Sequence, residues 1–254
     1  MRLIGVHTKA QLLDLIRTPV AIVSTTIFPT LAFLFFVLPQ REVVNDSLWS
    51  LITVAQLAVF GVMSAYLFGY GIGIAEERAN PWTSYLRTLP IGALPTTIAR
   101  FLVAATSALL SLAPLVVAVA LLTSAPDAFT SGDIAWWRLP AALGVVILVG
   151  APFLAMGLFI GYLLSAKAAI AVAQVVNFPL AFIGGLMLPP EMFPGWVDAI
   201  SLGTPSRAAR DAVIAVLTGQ SPPSSTWVVL IGWTVSMTAL AVWANRRDEG
   251  RRFR

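Results

Sequence analysis

The stretch "AEERANPWTSYLRTLP", residues 75–90, is the most polar part of the first half of a 254-residue chain in which only 11% of residues are charged. Apolar runs lie on both sides, Ser50–Ile74 before it and Phe101–Thr123 after it. A helix rises about 1.5 Å per residue, so each run is long enough to cross a hydrocarbon core of about 30 Å. A short charged segment between two such runs reads as a connection at a membrane face.

The composition agrees. The chain is 58% hydrophobic with a mean hydropathy of +0.85. Its charged share is less than half the roughly 25% of a soluble domain. An all-α membrane protein of six transmembrane helices is predicted, with spans at Val20–Leu38, Ser50–Ile74, Phe101–Thr123, Leu139–Leu164, Ala168–Leu188 and Thr226–Ala244. None of these runs contains Asp, Glu, Lys, Arg or His. The first follows a polar stretch and no small-residue cleavage site comes after it, so it reads as a span rather than a signal peptide. A pI near 10 suggests nucleic acid until the charges are placed. They cluster at the ends of apolar runs, so no nucleic-acid partner is expected.

Orientation follows from the basic residues. One side holds the N-terminus, the 75–100 loop, the 165–167 turn and the C-terminus, with twelve of the sixteen Lys and Arg residues; the other side holds Arg41, Arg138, Arg207 and Arg210. Both termini are therefore expected in the cytoplasm, in a multi-pass cell (inner) membrane protein. Trp49, Trp82, Trp136, Trp137, Trp196, Trp227 and Trp243 fall at span ends, as membrane-interface aromatics do, and only Trp233 lies well inside a span.

Residues 1–254 read as a single membrane domain. Leu12, Leu13, Leu15 and Ile16, interleaved with Lys9, Asp14 and Arg17, suggest a short amphipathic helix in the interface before the first span. The longest external loop, Pro189–Ser225, has apolar residues at helical spacing, at Trp196, Ala199 and Ile200 and again at Ala209, Val213, Val216 and Leu217. Thr204–Pro205 reads as a cap followed by a first-turn proline, and Gly219 as a stop. Two short helices folded back on the outer membrane surface are predicted.

Two spans carry small residues every fourth position: Gly61, Ala65, Gly69 and Gly73 in the second, and Ala169, Ala173, Asn177, Ala181 and Gly185 in the fifth. Gly157 and Gly161 form one such pair in the fourth. Such stripes let helix backbones approach closely. Asn177, at a span centre, needs a partner at a helix interface or in a wet path. Pro179 should kink its helix.

Several chemistries lack their residues. Lys9 in "VHTKAQ" and Lys167 in "LSAKAAI" are the only lysines, and neither follows a glycine-rich phosphate loop. There is no cysteine and the one histidine is His7, so no metal site, cysteine nucleophile or buried catalytic histidine is expected. No catalytic residue, enzyme activity or cofactor is assigned to this chain. With no ionisable residue inside a span, a proton-coupled carrier is disfavoured. A sodium-coupled carrier or a channel stays open.

Within the opening segment, Asn80–Pro81 suits a helix start and Pro90 a stop. Trp82, Tyr85, Leu86 and Leu89 fall on one apolar stripe, with Glu76, Glu77 and Arg78 leading in and Arg87 on the other face. The stripe would either anchor the helix in the headgroups or fit a groove on a cytoplasmic partner.

"EERANPWTSYLRTLPI" resembles the segment between spans two and three of the ATP-binding cassette (ABC) type-2 export permeases, whose pattern is close to E-R-x-x-G-T-x-x-x-L-R-x-T-P. Glu77, Arg78, Leu86, Arg87 and Pro90 match; Pro81 and Trp82 stand at the glycine and threonine positions, and Leu89 at the later threonine. "FIGGLMLPPEMFPGW" followed by "TPSRAARDAV" resembles the family's end of span five through Gly185, Pro189, Pro194, Trp196 and Pro205, and "IRTPV" its approach to span one.

The resemblance implies the transmembrane subunit of an ABC exporter. It would pair with a second copy or a related permease, in contact with membrane lipids, above two cytoplasmic ABC ATPase subunits that bind the ATP and Mg2+. It implies that Glu76, Glu77, Arg78, Trp82, Tyr85, Leu86, Arg87, Leu89 and Pro90 couple to the ATPase through a coupling helix. Residues 9–17 would form a connecting helix. Ala173, Asn177, Ala181 and Gly185 would line the pathway or dimer interface. Pro189, Pro194, Trp196 and Pro205 would lie in the external gate. An apolar lining suggests an amphiphilic or hydrophobic cargo such as a drug, lipid or hydrophobic peptide; a polysaccharide or glycolipid permease would share the fold. Because the chain has no native cysteine, single cysteines at Ser84 and Ser131 should react with an impermeant thiol reagent from opposite sides, and same-side labelling would overturn the topology.

Overall fold

In the computed structural model, residues 29–80 and 93–252 are described, with side chains at 29–80 and 103–248. Every regular element among them is helical. A helical stretch at 29–32 runs into a π-turn at Phe33–Val37, where Leu38 donates to the Phe33 carbonyl at 2.9 Å. Then follow α1 (Arg41–Asn45), α2 (Ser47–Ala79), α3 (Ala93–Leu122), α4 (Asp127–Thr130), α5 (Arg138–Val149), α6 (Ala151–Leu163), α7 (Ala166–Ile183), a 3-10 turn at Pro190–Met192, α8 (Gly195–Ser201), α9 (Pro205–Thr218) and α10 (Ser225–Arg252).

Five stretches are long and apolar enough to cross a membrane: Ser47–Ala79, Val103–Leu122, Arg138–Leu163, Ala166–Ile183 and Ser225–Asp248. They correspond to predicted spans two to six. Residues 20–28 of predicted span one lie outside the described residues, as do the connecting helix at 9–17 and positions 81–90.

α2 is the axis of the fold. Asp46 caps it, its carboxylate accepting from the Trp49 N–H at 2.8 Å. It continues past the predicted end at Ile74 to Ala79, so Glu76, Glu77 and Arg78 form its last turn. Helix α3 docks on it through Ala104, Ala108, Leu112, Leu115 and Val119, buried at helical spacing. Helices α6, α7 and α9 cover other faces of α2, and α10 packs on α6. Phe60, Met63, Tyr66 and Leu67 are fully buried at this centre.

The tightest contact joins α2 to α6. A Cβ on Gly157 would lie 2.5 Å from the Tyr66 carbonyl oxygen, and one on Gly161 2.9 Å from the Gly71 carbonyl and 2.8 Å from the Ile74 Cβ. The predicted Gly157–Gly161 stripe therefore does bring two backbones together, and its partner is Gly71. The predicted ladder on α2 divides: Gly61 faces Pro29 and Leu112, whereas Gly69 and Gly73 have open space where a Cβ would go. Gly69 and Gly73 lie off the seam because α2 turns about 100° per residue and its close face runs through Gly71.

The fourth span is two helices rather than one. Pro152 has no N–H to donate to the Leu148 carbonyl, and the chain breaks at Gly150 between α5 and α6. The break fits Tyr66, whose ring atom Cε2 would be 2.5 Å from a Cβ on Gly150. The fifth span is shorter than predicted. It ends at Ile183 instead of Leu188, because Gly185 takes a left-handed conformation (φ +73°) and the Leu186 N–H turns back to the Ala181 carbonyl at 2.9 Å. Pro179 sits inside α7 without ending it.

Gly157→Ala should destabilise the folded chain by about 1–3 kcal/mol, the scale of overpacking against backbone that cannot yield. Gly69→Ala and Gly73→Ala should leave thermal unfolding in detergent unchanged. Equal losses in all three would contradict the seam described.

Candidate functional site

Two polar assemblies interrupt the apolar body. The first is at the basic end. Arg78, in the last turn of α2, donates from Nη1 to the carbonyls of Gly161 at 2.7 Å and Leu164 at 3.0 Å, the exposed end of α6. Its Nη2 donates to Asp248 Oδ1 at 2.5 Å. Both side chains are mostly covered, at 18% and 7% exposed. The positive group thus meets the negative end of a helix and a carboxylate together. Glu76 and Glu77 are exposed beside it. Trp82, Tyr85, Leu86, Arg87, Leu89 and Pro90 lie outside the described residues.

The second assembly is the long external loop. The two predicted fold-back helices are present as α8 and α9, but α9 does not lie on a surface. Ala208, Ala209, Ala212, Val213 and Leu217 are buried, and the helix packs on α5, α10 and α2. Its start is as predicted: the Thr204 hydroxyl accepts from the Arg207 N–H at 3.3 Å, with Pro205 in the first turn. Gly219 ends it at φ +77°. A Cβ at Gly219 would collide with the Arg138 guanidinium, which sits over this helix end.

The turn before α9 reaches inward. Trp233 Nε1 donates to the Gly203 carbonyl at 2.9 Å. Trp233 is the ninth residue of α10, about 12 Å from its start. The α8–α9 hairpin is therefore re-entrant along α10, with Leu202 and Gly203 exposed at its tip. Trp233, the one tryptophan predicted away from an interface, is half-buried and finds an acceptor there.

Charges travel inward with it. Arg210 is 6% exposed and lies against Gln56, the tenth residue of α2. With the amide oriented oxygen-inward, Gln56 accepts from Arg210 Nε at 2.9 Å and Nη2 at 2.8 Å. Arg210 Nη1 donates to Asp211 Oδ1 at 2.8 Å. Arg207 donates to Asp211 Oδ2 at 2.9 Å, to Asp198 Oδ1 at 3.2 Å and to the Ser201 hydroxyl at 3.1 Å. Burial lowers the Arg210 pKa and Asp211 opposes that shift. The predicted spans are free of ionisable groups, yet this hairpin carries a paired cluster to their depth.

The residues expected at the pathway and gate are placed as follows. Ala173, Asn177 and Ala181 are 0–2% exposed, buried inside the subunit. The Ser64 hydroxyl on α2 donates to Asn177 Oδ1 at 3.1 Å. This stripe is occupied within the subunit, and the outward face of α7 carries Ile170, Val175, Phe178 and Phe182. Gly185 is the left-handed stop of α7; a Cβ there would be 2.7 Å from Pro190 Cγ and 3.5 Å from Arg210 Cδ. Pro205 is buried, Pro189 half-buried, and Pro194 and Trp196 exposed. Of these loop residues, Gly185 lies beside Arg210.

The sequence profile of the ABC-2 type transporter family matches residues 2–218. This chain belongs to that family. It is also 24% identical over 255 residues to "Putative transport permease YvfS" of Bacillus subtilis (strain 168), covering 98% of this chain and 99% of the relative. As an ABC-2 family member with several membrane-length apolar helices, it is a membrane-embedded transport permease.

Sequence reasoning did not single out Gln56, Arg207, Arg210, Asp211 or Asp248. The available signals were the i, i+4 pair Arg207–Asp211 and the position of Arg210 between residues of the apolar stripe at Ala209 and Val213. Arg210→Met should cost the permease about 3 kcal/mol, because Asp211 and Gln56 would lose a buried partner. Arg210→Lys should not restore it, since a point cation cannot make the two-pronged contact. Gln56→Leu should be strongly non-additive with Arg210→Met in a double-mutant cycle read by thermal unfolding; additive losses would contradict the contact.

Proposed function

We propose that this ABC-2 permease is the transmembrane subunit of an exporter that moves an amphiphilic or hydrophobic cargo outward. ATP hydrolysis takes place in separate ABC ATPase subunits that bind the ATP and Mg2+, and the chain itself catalyses nothing. The basic end, with both termini, faces the cytoplasm of an inner membrane protein. The segment 80–90 is the coupling helix and meets the ATPase with Trp82, Tyr85, Leu86 and Leu89.

The observation that carries this reading is the Arg78 assembly. It ties the end of α2, from which that segment continues, to α6 and α10, so a force applied there would be passed to all three helices. The second permease copy, or a related permease, meets the outward face of α7 at Val175, Phe178 and Phe182, and the buried Ala173–Asn177–Ala181 stripe backs that face. A shallow cleft of about 410 Å³ lies between the re-entrant turn and α10, lined by Gly203, Val229, Gly232, Trp233, Ser236 and Met237. The Pro189–Pro205 loop, with Trp196, forms the external gate.

Leu86→Asp and Trp82→Ala should each weaken ATPase association by about 2 kcal/mol, roughly thirtyfold, the scale of an interface anchor. Membrane insertion of the permease should be unchanged. Association at the parent level in both variants, measured by titrating the ATPase onto permease in nanodiscs, would contradict the coupling role.

A further inference from the structure

Asp248, next to Glu249 near the end of α10, faces inward. Leu230, Ala241, Ala244 and Asp248 are buried on one helical stripe, and α10 packs on α6. Neighbouring Arg246 and Arg247 are exposed, with Arg247 over the Trp243 ring at 5.3 Å. This carboxylate, on the inner stripe of a helix bordered by exposed arginines, meets the Arg78 guanidinium. That guanidinium simultaneously satisfies the Gly161 and Leu164 carbonyls of α6. Removing either partner would strand a covered charge.

We propose that Arg78 and Asp248 are positioning residues that form a permanent clamp, joining the basic ends of α2, α6 and α10 into one body. Displacement of the segment following α2 is then delivered to α10 as well as to α2. α10 is also the helix that holds the re-entrant turn, through Trp233 and the Gly203 carbonyl. Trp233 and Asp248 are about 22 Å apart along this one helix. It therefore acts as a rod between the clamp and the hairpin that carries Arg207, Arg210 and Asp211. Both terminal nitrogens of this guanidinium are bonded within the subunit, to the Gly161 and Leu164 carbonyls and to Asp248. The delivery step, though not the clamp itself, rests on the reading that 80–90 receives the ATPase.

The test uses the full chain, whose lack of cysteine allows spin labels at Ala79→Cys and Arg246→Cys, both exposed. In nanodiscs, electron-electron resonance should give one narrow distance peak. Asp248→Asn should lose that narrow peak, and Asp248→Glu should keep it. With the ATPase bound and trapped by ATP and vanadate, the parent peak should not move. A narrow peak persisting in Asp248→Asn, or a parent peak that shifts on trapping, would overturn the clamp. If no ATPase binds, the functional reading fails while the partner-free measurement still decides the clamp.

Discussion

The backbone contact between α2 and α6 is the constraint on which the rest of this structure depends. In lipid, apolar side chains gain nothing by leaving one greasy surface for another, so close packing and hydrogen bonds must hold helices together. Gly71, Gly157 and Gly161 supply the packing. Arg78 supplies the hydrogen bonds at one end of the same seam. With α6 fixed, α10 has a surface to dock on and the turn at Leu164 directs α7 back along α2. At the break between α5 and α6, Gly150 leaves room for the Tyr66 ring, and α5 packs on α9.

The α8–α9 hairpin sets Arg210 and Asp211 beside the interior of α2, where these charges are paired. Arg210 reaches Gln56 across the interior, tying the hairpin to α2, while Trp233 ties its turn to α10. Polar contacts join distant parts of the chain: Arg78 with Asp248, Ser64 with Asn177, Arg210 with Gln56, and Trp233 with Gly203. Such pairing is expected where an unsatisfied polar group is costly.

The membrane class, the approximate location of five described spans, the cap and stop of α9 and the Gly157–Gly161 approach were legible in the sequence. They rest on local signals: run length, proline and glycine chemistry, and small-residue spacing. What was not legible depends on which helix faces which. The α2 ladder at Gly61, Ala65, Gly69 and Gly73 had the right period, but only packing reveals that the seam runs through Gly71. Asn177 was legible as a residue needing a partner, and Ser64 could not be named. Arg210 looked like a surface charge because one arginine in a loop between proline clusters carries no sign of depth. Asp248 sits among arginines, where nothing local in the sequence marks an inward face. The break in span four was written in Gly150 and Pro152, which the length of the apolar run concealed.

The account stands or falls on whether this permease works with an ABC ATPase. The most direct measurement is to isolate the tagged chain from its native membrane under mild detergent and identify what accompanies it in stoichiometric amount. The account predicts an ABC ATPase subunit and ATP hydrolysis by the complex, with none by the chain alone. A chain that transports cargo in sealed vesicles while bringing down no such ATPase would contradict it.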